Sequence, residues 1–248
     1  MNVTLAIANH ELRRLFKSPL AWVILAVVQF LLAQLFLKYW EIFETRGAAY
    51  SDIGLTEIVV TSLYQSTAII LLLVTPFITM RGFSEERRSG TIRLLLSSPV
   101  SITQLVIGKY LSILGFLLLV VAMVTLMPLS LGTGTRLDYF QLLAGITGLA
   151  LLVSSFVAIG LFVSTLTQST AVAAIGTFGV LFLLWILNLA GNSGSEQVAA
   201  VLGYLSLLTH YNNLLDGLFD LSDVVYYLIM TISFLVLSVW RLDMERMN

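Results

Sequence analysis

Apolar residues run through this chain in six long stretches, approximately Pro19 to Leu37, Val59 to Met80, Leu105 to Leu131, Tyr139 to Thr165, Ala171 to Leu189 and Val224 to Trp240. Each approaches the roughly 20 residues that a helix needs to cross a bilayer core about 30 Å thick. The stretches are continuously apolar and charged loops separate them, which excludes the alternating strands of about 10 residues that build a membrane barrel. The pattern predicts an all-α membrane protein with six transmembrane helices, forming one transmembrane domain over residues 1–248.

Three polar intervals add detail. Before the first span, Leu5, Ala8, Leu12, Leu15 and Phe16 recur at helical spacing, with Arg13, Arg14 and Lys17 toward the other side. An interfacial helix over residues 1–18 is expected, its apolar face in lipid and its bases near anionic headgroups. Between spans 2 and 3, residues 81–100 read RGFSEERRSGTIRLLLSSPV. Glu85 and Glu86 suit a helix N-terminus, Gly90 breaks that helix, and Thr91 to Ser97 then turn along the membrane. Ile92, Leu94, Leu95 and Leu96 offer apolar contact, Arg87, Arg88 and Arg93 offer charge, and Pro99 stops the short helix. Ser101 with Gln104 forms a capping box for span 3, flanked by Val100 and Leu105 at the staple positions. A basic loop that only fixes topology accounts for the arginines but leaves the glycine break, acid pair and leucines unexplained, so a docking element for a soluble partner is expected. The third interval, residues 190–222, is an outer loop in which Gly203 to Leu221 is too short for a span and is expected as short helices at or within the outer leaflet.

Charge sets the orientation. With the N-terminus inside, Arg13, Arg14, Lys17, Arg81, Arg87, Arg88, Arg93, Lys109, Arg241 and Arg246 lie inside, against Lys38, Arg46 and Arg136 outside. Basic residues are retained on the cytoplasmic side, so both termini are expected there. The acids are mostly outside, and the net charge of −1 conceals the asymmetry. With 58% hydrophobic and 11% charged residues, a soluble fold is excluded, and the lack of cysteine excludes disulfides and thiolate chemistry. The first run is span-length without an early small-residue cleavage pattern, so no cleaved signal peptide is expected.

Candidate chemistry is sparse. The chain contains no nucleotide-binding loop, zinc helix or nucleophile elbow, and GTGT at Gly132 to Thr135 lacks the lysine a phosphate loop needs. No catalytic residue, metal site or cofactor is expected in this chain. Glu41, Glu44, Asp52 and Glu57 read as a solvated acidic face. His210 with Asp216, Asp220 and Asp223 reads as capping and packing rather than a metal site, and Tyr226 and Tyr227 as aromatic-belt anchors. The spans contain almost nothing ionisable and no such group at membrane depth, which disfavours ion-coupled transport. Their polar residues Gln29, Gln34, Thr75, Thr125, Ser154, Ser155 and Asn188 suit interhelical hydrogen bonds. Ala144, Gly145, Gly148, Ser155, Ala158, Gly176 and Gly179 suit close helix packing, and Pro76 and Pro128 suit bends in spans 2 and 3.

EERRSGT (Glu85 to Thr91), LLLSSP (Leu94 to Pro99) and GKY (Gly108 to Tyr110) resemble the permease subunits of ABC transporters of the ABC-2 type. SLLTHYNNLLDGLFDLSDVVYY, Ser206 to Tyr227, is similar to the outer re-entrant hairpin of the gliding-motility-associated permeases, with His210, Tyr211, Gly217, Asp220 and Asp223 matching the pattern. The resemblance implies a coupling helix that enters a groove on a separate ATP-binding cassette subunit, through Glu85, Glu86, Arg87, Arg88, Gly90, Thr91, Leu94, Leu95 and Pro99. It also implies ATP and Mg bound by two copies of that partner, and no ATPase site here. The second permease would be another copy or a different chain, possibly one with a large outer domain. Membrane lipids and no nucleic acid complete the expected partners. A bacterial inner-membrane exporter is implied, with cargo unspecified. The alternative is an ATP-independent secondary carrier or a scaffold that recruits a cytoplasmic partner.

Overall fold

The computed structural model describes residues 3–46, 56–92, 95, 100–131, 138–191 and 203–247. Their helices are α1 (Val3–Lys17), α2 (Pro19–Arg46), α3 (Ser62–Thr79), α4 (Ser84–Ser89), α5 (Ile102–Leu131), α6 (Tyr139–Leu166), α7 (Thr170–Gly191), α8 (Leu207–Leu215) and α9 (Leu221–Met247). A π-helical turn, Thr56–Thr61, leads into α3, and no strand occurs among the described residues. Six stretches, built on α2, α3, α5, α6, α7 and α9, are long and apolar enough to cross a membrane.

The apolar runs marked the spans, but hydrophobicity and helicity end at different places. Lys38, Glu41, Glu44 and Arg46 stop the first run, yet none breaks a helix, so α2 continues to Arg46. Glu41 and Glu44, the first two acids of the expected solvated face, therefore stand on a helical extension. Pro76 and Pro128 lie inside α3 and α5, and both helices continue through them.

Helix α6 is the centre of the bundle. The apolar window of α6 is 67% buried, against 22% for α2 and 17% for α7, which lie at the periphery. Small residues allow this centrality: a Cβ on Gly145 would stand 2.7 Å from the Tyr64 ring, and one on Gly148 would stand 2.9 Å from Leu214 Cβ. Ala144, Ser155 and Ala158 are buried on the same helix. Gly179 departs from the expected packing role, since its Cβ position meets open space, whereas Gly176 faces Val163.

The polar residues of the spans divide into two groups. Gln29 Nε2 donates across to the Val120 carbonyl, Tyr110 and Ser154 share a 2.5 Å hydrogen bond, and Tyr64 donates to Thr125. Thr75 and Ser155 instead donate back to their own helices, to the carbonyls of Leu71 and Leu152. The side chain of Asn188 lies outside the described residues.

Helix α1 corrects the expectation of an apolar face given wholly to lipid. It lies along α5, where Ile7, Leu12, Leu15 and Phe16 pack against the core and the Phe16 and Phe116 rings meet edge-on at 5.5 Å. Leu5 remains 58% exposed. The approach requires a glycine in α5, because a Cβ on Gly108 would stand 2.7 Å from Ile7 Cγ2. Gly108→Ala is expected to cost about 2 kcal/mol, because the new Cβ would also stand 2.9 Å from Ile7 Cβ and 3.2 Å from the Thr4 carbonyl oxygen, which move only if α1 shifts. A lower thermal midpoint of the detergent-solubilised protein, with unchanged helical content, would report it.

Candidate functional site

Helix α4 is one and a half turns of charged residues between two spans. Glu85 and Glu86 occupy its first turn, where the backbone N–H groups favour negative charge. Gly90 ends it in the left-handed conformation at φ +76°, a geometry that penalises any side chain, so the chain can turn sharply there. Phe83, just before the helix, is fully buried.

The four charges of EERR face different ways. Glu86 and Arg87 turn into the protein. Glu86 Oε1 accepts from Lys109 Nζ at 2.6 Å, and the same ammonium reaches Glu11 Oε1 at 3.1 Å. Lys109 also sits 5.3 Å from the centroid of the Phe83 ring. Arg87, with only 7% of its side chain exposed, pairs with Glu245 near the end of α9. Glu85 is half-exposed and stands 3.6 Å from Arg14, while Arg88, Ser89, Gly90 and Thr91 are exposed. The exposed edge of the segment is thus short, and behind it α4 is tied to α1, α5 and α9 by buried charge pairs.

Thr91 closes the turn by hydrogen bonding with Ser89 at 2.8 Å, the Leu95 amide donates to the Thr91 carbonyl, and Ile92 is buried. Leu94 and Pro99 lie outside the described residues. Past them the expected capping box is present: Gln104 N–H donates to Ser101 Oγ at 3.2 Å and Ser101 N–H to Gln104 Oε1 at 3.3 Å. Because Glu11 and Glu245 both belong to this network, the two ends of the described chain lie at one pole of the bundle.

Lys109 is the residue whose role the sequence reading missed. Lys109 counts among the basic residues of the inner face, yet it falls in the third apolar run and is 3% exposed within α5. The signal was available, since a lysine seven residues into a span needs a buried acid to hold its charge.

At the opposite pole, α8 packs into a hairpin with the start of α9. His210 Nδ1 lies 2.5 Å from Asp223 Oδ1, and His210 Nε2 lies 2.9 Å from the Tyr204 carbonyl. Donation of Nε2–H to that carbonyl leaves Nδ1 to share a proton with the Asp223 carboxylate. The imidazole stacks on Tyr226 with centroids 4.1 Å apart, and Asn213 donates to the same Asp223 oxygen. Asp220 caps α9 through the Ser222 amide at 3.0 Å, a bond that holds its carboxyl below the ordinary range. Gly217 turns the chain at φ +79°. Among the described residues no group of three or more histidine and acidic side chains is placed to hold a metal ion.

Tyrosines bind this hairpin to the spans and correct the belt-anchor reading. Tyr227 is fully buried and donates to the Leu207 carbonyl at 2.7 Å, Tyr226 donates to Leu205, and Tyr211 donates to the Tyr64 carbonyl of α3 at 2.9 Å. Tyr211→Phe removes a single neutral hydrogen bond and is expected to cost about 1 kcal/mol, with faster proteolysis between α8 and α9 as the readout.

A family described as ABC-2 family transporter protein matches residues 5–247 of the chain. No curated protein sequence matches the chain.

Proposed function

Because the chain belongs to the ABC-2 transporter family, we propose that it is the permease subunit of an ATP-driven exporter and that α4 with residues 88–99 is its coupling element. Membership of that family implies partnership with an ATP-binding subunit and no ATPase site in the membrane component. Two ATP-binding subunits would close on ATP and press on the segment after Arg88. The observation that carries this reading is the anchoring of α4: a push there acts on α1 and α5 through Lys109 and on α9 through Glu245. Three elements would then move as one body, a rigid-body response suited to switching between two packings.

One six-helix chain supplies half of a pathway, so a second permease is required. Residues 206–227, by their likeness to the gliding-motility-associated permeases, support pairing with a different chain bearing a large outer domain. The inside-positive charge bias supports a cytoplasmic α4 pole, and the family resemblance supports a bacterial inner membrane, with which that bias agrees. A secondary carrier has less support, because the buried charges, Glu86 with Lys109 at one pole and Asp223 at the other, sit at the two poles rather than at mid-membrane.

Reconstitution tests the reading. The tagged chain, isolated in mild detergent from its native membrane, is expected to bring a Walker-motif ATPase with it, and Gly90→Pro to lose that ATPase while the chain remains folded. An intact complex that reproducibly lacks an ATPase would overturn the proposal.

A further inference from the structure

A cavity of about 290 Å³ opens between the corner joining α1 to α2, the C-terminal end of α3 and the first turns of α5. One end is charged, lined by Arg14, Arg81, Lys109, Glu11 and Glu85, and the remainder is apolar, with Ile24, Phe77, Ile113 and Phe116 among its walls. Leu20 and Phe77 line the cavity and are 37% and 54% exposed. Its exposed rim is apolar at Leu20 and Phe77 and basic at Arg14 and Arg81, so at the ends of membrane spans it meets both acyl chains and headgroups.

The charges are unevenly matched. Lys109 is held between Glu11 and Glu86, and Arg14 stands 3.9 Å from Glu11 and 3.6 Å from Glu85. Arg81 is exposed and makes no ion pair or side-chain hydrogen bond among the described residues. The acids are thus drawn toward Lys109 and Arg14, and Arg81 stands at the cavity without an anion.

We propose that this cavity binds an anionic phospholipid from the leaflet that meets this pole, its phosphate at Arg81 and Arg14 and part of one acyl chain along Ile24, Phe77 and Phe116. The volume, at the lower end of the ~300–1,000 Å³ typical of ligand sites, admits a length of one chain and leaves the second in the bilayer. Basic side chains near a membrane surface favour anionic over zwitterionic headgroups, and the apolar part of the lining favours an occupant with an acyl chain over a free anion. Because Glu11, Glu85 and Lys109 line the same cavity, the lipid would brace α1 against α4. This inference rests on the membrane placement of the bundle and not on ATP coupling.

The test uses the delipidated full-length chain in detergent, titrated with dioleoylphosphatidylglycerol, dioleoylphosphatidylcholine or inorganic phosphate and followed by native mass spectrometry and thermal midpoint. One phosphatidylglycerol per chain is expected to bind with about tenfold preference over phosphatidylcholine, the scale of one or two basic contacts, with phosphate inert. Arg81→Gln, at an exposed position that does not threaten folding, should erase most of the preference, and Ala21→Leu, which fills the wall, should remove binding. Equal retention of the two lipids, unchanged preference in Arg81→Gln, or stabilisation by phosphate alone would overturn the proposal. Neither result depends on an ATPase, so the inference can fail while the coupling reading stands.

Discussion

Lys109→Met is expected to destabilise the protein by about 3–5 kcal/mol, the cost of removing one partner from a buried ion pair. Glu86 is 9% exposed and its Oε2 already has no hydrogen-bond partner, so without the ammonium its buried carboxylate keeps no direct counter-ion. Glu11 loses the same counter-ion. The effect should reach function through position: α4 loses its buried tie to α5 and, through it, to Glu11 of α1, and keeps the half-exposed Glu85–Arg14 contact and Arg87–Glu245. The double variant Glu86→Leu with Lys109→Met should recover much of the loss, because an apolar pair of similar volume removes the unpaired charge. Thermal midpoints of the two singles and the double give the coupling energy. A Lys109→Met variant within about 1 kcal/mol of the parent would mean that the pair is solvated, and the anchoring account would fail.

Asp223→Ala is the second large effect, expected at about 1.5–3 kcal/mol from the loss of hydrogen bonds to a charged group. His210 Nδ1 and Asn213 both lose their acceptor, while Tyr204 and Tyr226 still enclose the imidazole. The loss should be local, seen as faster amide exchange in α8 and the first turn of α9 with the α4 pole unchanged. Uniform loosening of both poles would contradict a hairpin held chiefly by this pair.

The spans were legible because continuous apolar runs have few other uses, and the Ser101–Gln104 box was legible because capping acts over three residues. What the sequence withheld was direction. Helix α4 has six residues, too few for periodicity to show which charges turn inward. The inward choice depends on Lys109, 23 positions away, and Glu245, 158 positions from Arg87. Arg87 reads as an outward docking charge and Lys109 as an inner-face base, although both side chains turn inward and are paired. Likewise Tyr226 and Tyr227 read as interfacial anchors because nothing local reveals the Leu205 and Leu207 carbonyls that receive them.

The coupling claim divides this surface into an exposed edge, Arg88 to Thr91, and an anchored interior, Glu86 and Arg87. The chain has no cysteine, so a single Arg88→Cys variant introduces one thiol at that edge without a competing background. Cross-linking from Cys at position 88 in native membranes, with Lys38→Cys at the opposite pole as the control, tests the claim most directly. A Walker-motif ATPase captured from position 88 and absent from position 38 is the predicted result. Capture of no ATPase from position 88, in membranes where the complex is intact, would contradict the account.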